Sequence, residues 1–220
     1  LNFPEGVNQL VVELTCFKLG RSARSRFRES RFLHLMNIIR MIWDEKDVAL
    51  YKERQGLRIW DTYSLNVLHK LCEGKNVCIT GPASAAKTYS TSVYGLVCFY
   101  SSPQDTTCLI STTSSGGAER RVYGKIKLLH SSAKFERWFP KIGKDEPSIG
   151  KIFDYLICIT FNPDVEILGE KATMKNLTNG VIVIPIAQDS TGENALSTIM
   201  GTKGTYVYWI VDEMPEMMHG

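Results

Sequence analysis

The chain has 220 residues, which is enough for one sizeable domain and too few for two large ones. Hydrophobic residues make up 44% of it and charged residues 22%, an ordinary composition for a soluble globular protein. The net charge of +3 is too small to indicate nucleic-acid binding by itself. The sequence has no apolar stretch near the ~18–20 residues of a membrane span, and no secretory signal is visible. Six scattered cysteines without a C-x-x-C pair argue against a disulfide framework or a zinc site and favour a reducing compartment.

Residues 1–54 are predicted to form a helical and basic lead-in segment. Residues 1–20 alternate weakly in hydrophobicity and fit either a strand or a peripheral helix. The next eleven residues, RSARSRFRESR, fit either a phosphate-contacting arm for nucleic acid or a solvated helix face or linker. They contain five arginines: Arg21, Arg24, Arg26, Arg28 and Arg31. Residues 32–54 predict a helix, because Leu35, Ile38, Ile39 and Ile42 recur at helical spacing.

The stretch Asn76–Thr88, NVCITGPASAAKT, has the order of a buried strand, a phosphate loop and a helix. Its spacing, G-x-x-x-x-A-K-T, departs by one residue from the phosphate-loop pattern. Small residues allow backbone N–H groups to wrap polyphosphate oxygens, and a helix that follows directs its positive end at them. The predicted nucleotide-binding residues are Gly81, Pro82, Ala83, Ser84, Ala85, Ala86, Lys87 and Thr88. The alternative for this stretch is an ordinary strand-to-helix turn.

Within this loop, Lys87 would provide a charge at the β- and γ-phosphates, and the Thr88 hydroxyl would coordinate Mg²⁺. ATP and Mg²⁺ are therefore the expected cofactors. The departure is Ala86, which stands where the pattern has glycine. A left-handed backbone there would cost alanine about 1–2 kcal/mol. The sequence favours a position in the first helical turn instead, because Ala85–Ala86–Lys87 is good helix-forming sequence.

The elements around the loop predict an α/β fold with a parallel sheet flanked by helices. Leu65, Leu68 and Leu71 predict a helix that Gly74 ends and that leads into the central strand. Trp60 and Tyr63, near its start, fit either stacking on adenine or plain packing. Further helices are predicted over residues 87–100 and 118–135, with a buried strand at 106–113 between them. Residues 151–187 predict antiparallel strands around an Asn179–Gly180 hairpin turn, and residues 192–200 a short helix.

Residues 206–213, YVYWIVDE, are apolar on both faces, as expected of a central parallel strand. The strand ends in Asp212–Glu213, and ligands of open α/β sheets lie at such strand ends. Asp212 would hold Mg²⁺ opposite Thr88, and Glu213 would polarise the water that attacks the γ-phosphate. A glutamate in this place favours hydrolysis coupled to mechanical work over phosphate transfer to a metabolite. The alternative is a strand that ends in a solvated acidic turn.

In this order, the motifs resemble the ATPase domain of large terminase subunits, the DNA-packaging motors of tailed bacteriophages and herpes-type viruses. The resemblance covers residues 55–220. It is carried by the segments GPASAAKT, ISTTSSGGAERRVYGKI, GTKG and YVYWIVDEMPEM. The chain begins at Leu1 and ends shortly after Glu213, so we expect a fragment of a longer protein.

The resemblance implies a RecA-like P-loop NTPase fold and ATP hydrolysis that drives double-stranded DNA into a procapsid. It implies a homo-oligomeric ring on a portal protein, a small terminase subunit as partner, no membrane, and a location in the host cytoplasm with transient docking on the procapsid. A C-terminal nuclease domain and a Ser/Thr coupling motif would follow this chain. Arg120 and Arg121 are the arginine-finger candidates, although a solvated pair on a helix turn fits them equally well.

Two other functions fit the same residues. One is a helicase or other translocase of the same fold, with single-stranded nucleic acid as its track. The other is a nucleotide-binding assembly module with weak or lost catalysis, to which Ala86 gives some support.

Overall fold

The computed structural model describes residues 7–22, 24–43, 62–74, 76–82, 85–103, 105–112, 117–133, 159–160, 165–167, 170–172, 180–185 and 205–212. The chain forms two compact units, residues 1–101 with 132–134, and residues 102–131 with 135–220. The predicted domain boundary between residues 54 and 55 lies outside the described residues, as do Trp60 and the predicted helix at 192–200.

The first unit is helical. It contains α1 (Val7–Leu19), α2 (Arg31–Ile42), α3 (Thr62–Cys72) and α4 (Lys87–Ser101). For the described part of residues 1–20, the alternative left open is thus decided in favour of a helix, Val7–Leu19. The core residues recur at helical spacing and are fully buried: Phe17, Leu35, Ile38, Ile42, Leu68, Val93, Leu96 and Val97. None of the described helices has the length and apolar character needed to cross a membrane.

The predicted apolar face of α2 and the predicted helix at residues 87–100 are confirmed, and so is the end of α3. Gly74 has a φ of 72°, the left-handed conformation that commonly follows the last turn of a helix. A side chain at that position would meet no neighbour within 4 Å, so the backbone conformation, not space, is the reason for glycine.

The arginine-rich segment combines structural and solvated roles. Arg31 is only 2% exposed and bonds the Cys72 carbonyl at 3.3 Å and the Tyr94 hydroxyl at 3.0 Å. Its guanidinium also lies 4.4 Å from the centre of the Phe17 ring, a cation–π distance. Arg21 donates to the Cys98 carbonyl and the Ser101 hydroxyl. Neither interpretation of this segment, a nucleic-acid arm or a solvated face or linker, describes Arg21 and Arg31. These two side chains hold the helices of the first unit together.

A buried carboxylate joins α1 to α2. Glu13 accepts hydrogen bonds from Gln9 Nε2 at 2.9 Å and Asn37 Nδ2 at 3.3 Å, and its Oε2 lies 2.7 Å from His34 Nδ1. Burial by itself raises the pKa of Glu13, but the hydrogen bonds and the charge of His34 outweigh it and hold the pKa below its ordinary value of 4.5.

Glu13→Gln is expected to lower the free energy of unfolding at neutral pH by about 1–3 kcal/mol, because a buried network then loses its acceptor charge. A carboxylate whose pKa is lower in the folded chain stabilises it above the unfolded pKa. That contribution disappears as the pH falls through the folded value. Urea unfolding at several pH values should therefore show the difference between wild type and Glu13→Gln shrinking below about pH 4. Glu29→Gln, at an exposed glutamate, is the control, and an equal effect there would contradict the assignment.

The second unit contains a parallel sheet with the strand order β2–β5–β1–β6. The strands are β1 (Thr106–Thr112), β2 (Ile159–Thr160), β5 (Gly180–Pro185) and β6 (Tyr206–Val211). β1 is buried along its whole length, as predicted. After β1 comes a π-helix, Ala118–Tyr123, and then α5, Gly124–Ser131, where a helix was predicted. Val122 of the π-helix and Ile126 and Leu129 of α5 are buried. The chain is therefore of mixed α/β character with a parallel sheet.

The hairpin predicted at Asn179–Gly180 is wrong. Gly180 begins β5, and both neighbours of β5 run parallel to it, with Cys108 opposite Val181 and Ile110 opposite Val183. The run VIVIP is apolar without alternation, which suits a strand buried on both faces and overrides the local turn signal. The antiparallel pair in this region is β3 (Val165–Ile167) with β4 (Glu170–Ala172).

Two further predictions about strands need correction. Residues 76–80, predicted as the central strand, belong to none of the described strands, and Cys78 within them is exposed. β6 is parallel to β1 as predicted, but no other described strand pairs with it. Val207 and Trp209 on one face of β6 are 44% and 50% exposed, so this strand is not buried on both faces.

Candidate functional site

The predicted phosphate loop leads directly into α4. The Ala85 N–H donates to the Pro82 carbonyl at 3.4 Å, so the described ends of the loop meet. α4 begins at Lys87, and the Ala86 carbonyl accepts the first helical hydrogen bond from Ser90 at 2.9 Å. Ala86 is therefore the N-cap residue, and Lys87 and Thr88 occupy the first turn of a 15-residue helix.

Ala86 has a φ of 54°, and it is the one non-glycine residue with positive φ in the described part of the chain. The preferred interpretation, that Ala86 lies in the first helical turn, is therefore wrong. The chain must change direction at Ala86, just before the axis of α4 begins. This change requires a left-handed backbone, which the phosphate-loop pattern normally assigns to glycine. The loop keeps this conformation at a cost of about 1–2 kcal/mol.

Ala86→Gly is consequently expected to stabilise the chain by about 1 kcal/mol, because glycine adopts a positive φ without steric cost. Urea unfolding followed by circular dichroism measures the change. Ala85→Gly, one residue earlier, is the control and should be neutral or slightly destabilising. A lower free energy of unfolding in Ala86→Gly would show that the backbone at this position is not strained.

The Lys87 ammonium lies over the loop. Its Nζ donates to the carbonyls of Gly81 and Pro82, each at 2.7 Å. An ammonium group has three N–H donors, so these bonds leave one more for another acceptor. The loop carbonyls thus hold the positive charge against the loop backbone, next to the N-terminus of α4, where anions are favoured.

Tyr63 supports the loop from α3. Its hydroxyl donates to the Thr80 carbonyl at 2.9 Å. A Cβ atom on Gly81 would lie 2.6 Å from that hydroxyl oxygen, closer than real contacts allow. Gly81 is therefore required by the close approach of Tyr63. This contact gives Tyr63 an anchoring role in the loop, and stacking of its ring on adenine stays a prediction.

The acidic end of β6 lies in the second unit. The Asp212 N–H donates to the Ser111 carbonyl at 2.9 Å, which places Asp212 beside the carboxyl end of β1. Trp209 Nε1 donates to Ser111 Oγ at 3.0 Å and joins the same two strands. Asp212 thus lies at the carboxyl ends of the strands, where open α/β sheets bind ligands, as the sequence predicts.

Basic residues follow β1 in the chain. Arg120 and Arg121 are exposed on the π-helix, a position that fits both alternatives, an arginine finger and a solvated pair. Lys125, four residues after Arg121, is half-buried. Burial lowers the pKa of Lys125, the Asp212 carboxylate opposes this change, and the Arg121 guanidinium adds to it. Sequence reasoning missed Lys125, although its helical spacing from Arg121 would have placed it on the same face. π-helical turns are often found at functional sites.

The predicted site residues are thus distributed over both units. Thr88 belongs to the first unit and Asp212 to the second, so their shared Mg²⁺ stays a prediction. Ala83, Ser84 and Glu213 lie outside the described residues. Across the described ranges, no cluster of three or more His, Cys, Asp or Glu side chains is found. One hydroxyl and one carboxylate still suit Mg²⁺, which keeps several of its waters.

The described loop residues fit a bound polyphosphate. They combine loop ends that meet, a left-handed residue before the lysine and an ammonium group at the start of a helix. Comparison of the chain with protein-family models, curated proteins and solved structures gives no match.

Proposed function

We propose that this chain is an ATP-hydrolysing motor domain of the large terminase type, which drives double-stranded DNA into a procapsid. The observation that carries the proposal is the left-handed Ala86 immediately before Lys87. Alanine avoids this conformation, so its presence indicates a loop whose shape is needed. A phosphate loop needs that shape because its backbone N–H groups must converge on phosphate oxygens.

The residues of this chain would divide the work as follows. Lys87 would donate to the β- and γ-phosphates, and the first turn of α4 would stabilise the same negative charge. Thr88 and Asp212 would hold Mg²⁺, which supplies charge neutralisation when bound. Glu213 would orient and polarise the attacking water, and Arg120 or Arg121 would reach the nucleotide of a neighbouring subunit.

The half-buried Lys125 adds a role to this proposal. It lies near both Asp212 and Arg121, as their effects on its pKa indicate. The attraction between the two charges would direct the Asp212 carboxylate toward the ligand end of the sheet. The portal protein, the small terminase subunit, the ring on the portal and the cytoplasmic site of action belong to the same proposal.

The test is to measure ATP hydrolysis and duplex unwinding on the same protein. We expect Mg²⁺-dependent hydrolysis that rises with double-stranded DNA, and no strand separation of a forked duplex. Strand separation would instead identify a helicase. Nucleotide binding without hydrolysis, with duplex DNA and a portal partner present, would identify an assembly module.

A further inference from the structure

The arginine-rich segment contains a surface that the proposed nucleotide site does not use. We define the arginine turn as residues 24–30, between the two anchored arginines. Arg31 follows it and is buried against Cys72 and Tyr94, and Arg21 precedes it and bonds the end of α4. The turn is thus held at both of its ends.

Hydrogen bonds inside the segment fix its course. The Phe27 N–H donates to Ser25 Oγ at 3.1 Å, the Arg28 N–H to the Ser25 carbonyl at 3.3 Å, and Ser30 Oγ to the Phe27 carbonyl at 3.1 Å. Because the backbone is already ordered, binding a ligand here would cost little conformational entropy of the main chain.

The turn directs three guanidinium groups outward. Arg24, Arg26 and Arg28 are exposed, and no carboxylate of the described residues lies within ion-pair distance of them. Arg26 lies over the Phe27 ring at 5.0 Å, and Arg28 donates to the Glu73 carbonyl at 3.2 Å. These contacts orient two of the groups without neutralising their charge.

A cleft of about 800 Å³ opens beside these groups. Its wall includes Arg26, Arg28 and Phe32, together with His69, whose ring meets the Phe32 ring edge to face at 4.9 Å. It also includes two carboxylates, Glu29 and Glu73. Lys70 binds Glu73 at 2.8 Å and so offsets its charge.

We propose that the arginine turn and this cleft bind the sugar–phosphate backbone of DNA, without preference for sequence. Guanidinium groups match phosphate oxygens bidentately, and half or more of the hydrogen bonds between proteins and DNA go to phosphate and sugar oxygens. Glu29 and Glu73 would repel any anion inside the cleft, so the proposal places the phosphates on the exposed guanidinium groups at its rim. The inference deepens the proposed function by giving a surface for the DNA, and it needs no nucleotide.

Fluorescence anisotropy with a labelled duplex of about 20 base pairs, without ATP, tests the proposal over about 50–200 mM salt. Arg26→Gln/Arg28→Gln should bind about tenfold more weakly, and the slope of log affinity against log salt should fall by about 2. The matched control is Arg40→Gln/Lys127→Gln, which removes the same charge from exposed positions elsewhere and should change binding much less.

Equal losses in the two double variants, or no loss in the first, would overturn the proposal. Displacement of the duplex by inorganic phosphate or by polyglutamate at matched charge would overturn it too, since the site would then be a general anion site. Arg26→Lys/Arg28→Lys keeps the charge but not the bidentate geometry, so it should keep the salt slope and lose less affinity than the glutamine pair, which guards against misfolding as the cause. Because ATP is absent, a failed motor assignment would leave this result unchanged.

Discussion

Lys87→Ala is expected to weaken ATP binding by up to about a hundredfold. Hydrogen bonds to charged groups contribute about 1.5–3 kcal/mol, and each 1.4 kcal/mol corresponds to a factor of about ten in affinity. The Lys87 ammonium already lies against the loop carbonyls of Gly81 and Pro82, so binding needs little movement of it. Titration calorimetry with a non-hydrolysable ATP analogue measures the effect.

Lys70→Ala is the matched control for this variant. Lys70 is an exposed lysine of the same unit, bound to Glu73 on the surface of α3. Its removal should leave ATP affinity within about twofold, since surface ion pairs contribute about 0–1 kcal/mol. Equal affinities in Lys87→Ala and wild type would show that residues 81–88 do not form a nucleotide site.

A companion variant separates binding from hydrolysis. Glu213→Gln should keep ATP binding and lose hydrolysis by about two orders of magnitude or more, because an amide cannot accept the proton of the attacking water. Glu216→Gln, three residues later, is its control. Unchanged hydrolysis in Glu213→Gln would exclude the proposed catalytic role even if Lys87→Ala abolishes binding.

Gly81→Ala is expected to have the second large effect. The new Cβ would lie 2.6 Å from the Tyr63 hydroxyl oxygen and 3.1 Å from the ring carbon that carries it, so the loop or the ring must shift. Overpacking of this kind costs about 1–3 kcal/mol. The same shift would move the Gly81 carbonyl that holds Lys87, and ATP affinity should fall together with stability.

The decisive comparison is the double variant Gly81→Ala/Tyr63→Phe. Tyr63→Phe removes the oxygen that the new methyl group meets, at the cost of one partly exposed hydrogen bond of about 1 kcal/mol. The two losses should therefore not add, and the double variant should be about 1 kcal/mol more stable than their sum. Urea unfolding of the four proteins gives the coupling energy. Strict additivity would show that Tyr63 and Gly81 do not meet.

Local sequence was sufficient to predict the helices and strands whose own residues form a buried face. The apolar spacing in α2, the helix at residues 87–100, the continuous burial of β1 and the glycine at the end of α3 each depend on neighbours a few residues away. The positions of Asp212 and of the two exposed arginines were also predictable, because strand ends and helix starts follow from the chain order.

Tertiary structure decided what depends on distant partners. Local propensity placed Ala86 in a helix, but the direction of the loop imposed a positive φ. An Asn–Gly pair favoured a hairpin, but Gly180 instead begins β5, which is buried between two parallel strands. Arg31 reads as a surface charge in sequence, and only the packing of α1, α3 and α4 around it shows that it belongs to the core. Sequence determines the short-range pattern because propensity and periodicity act within a few residues, whereas strain, strand order and buried charge are set by groups that meet only after folding.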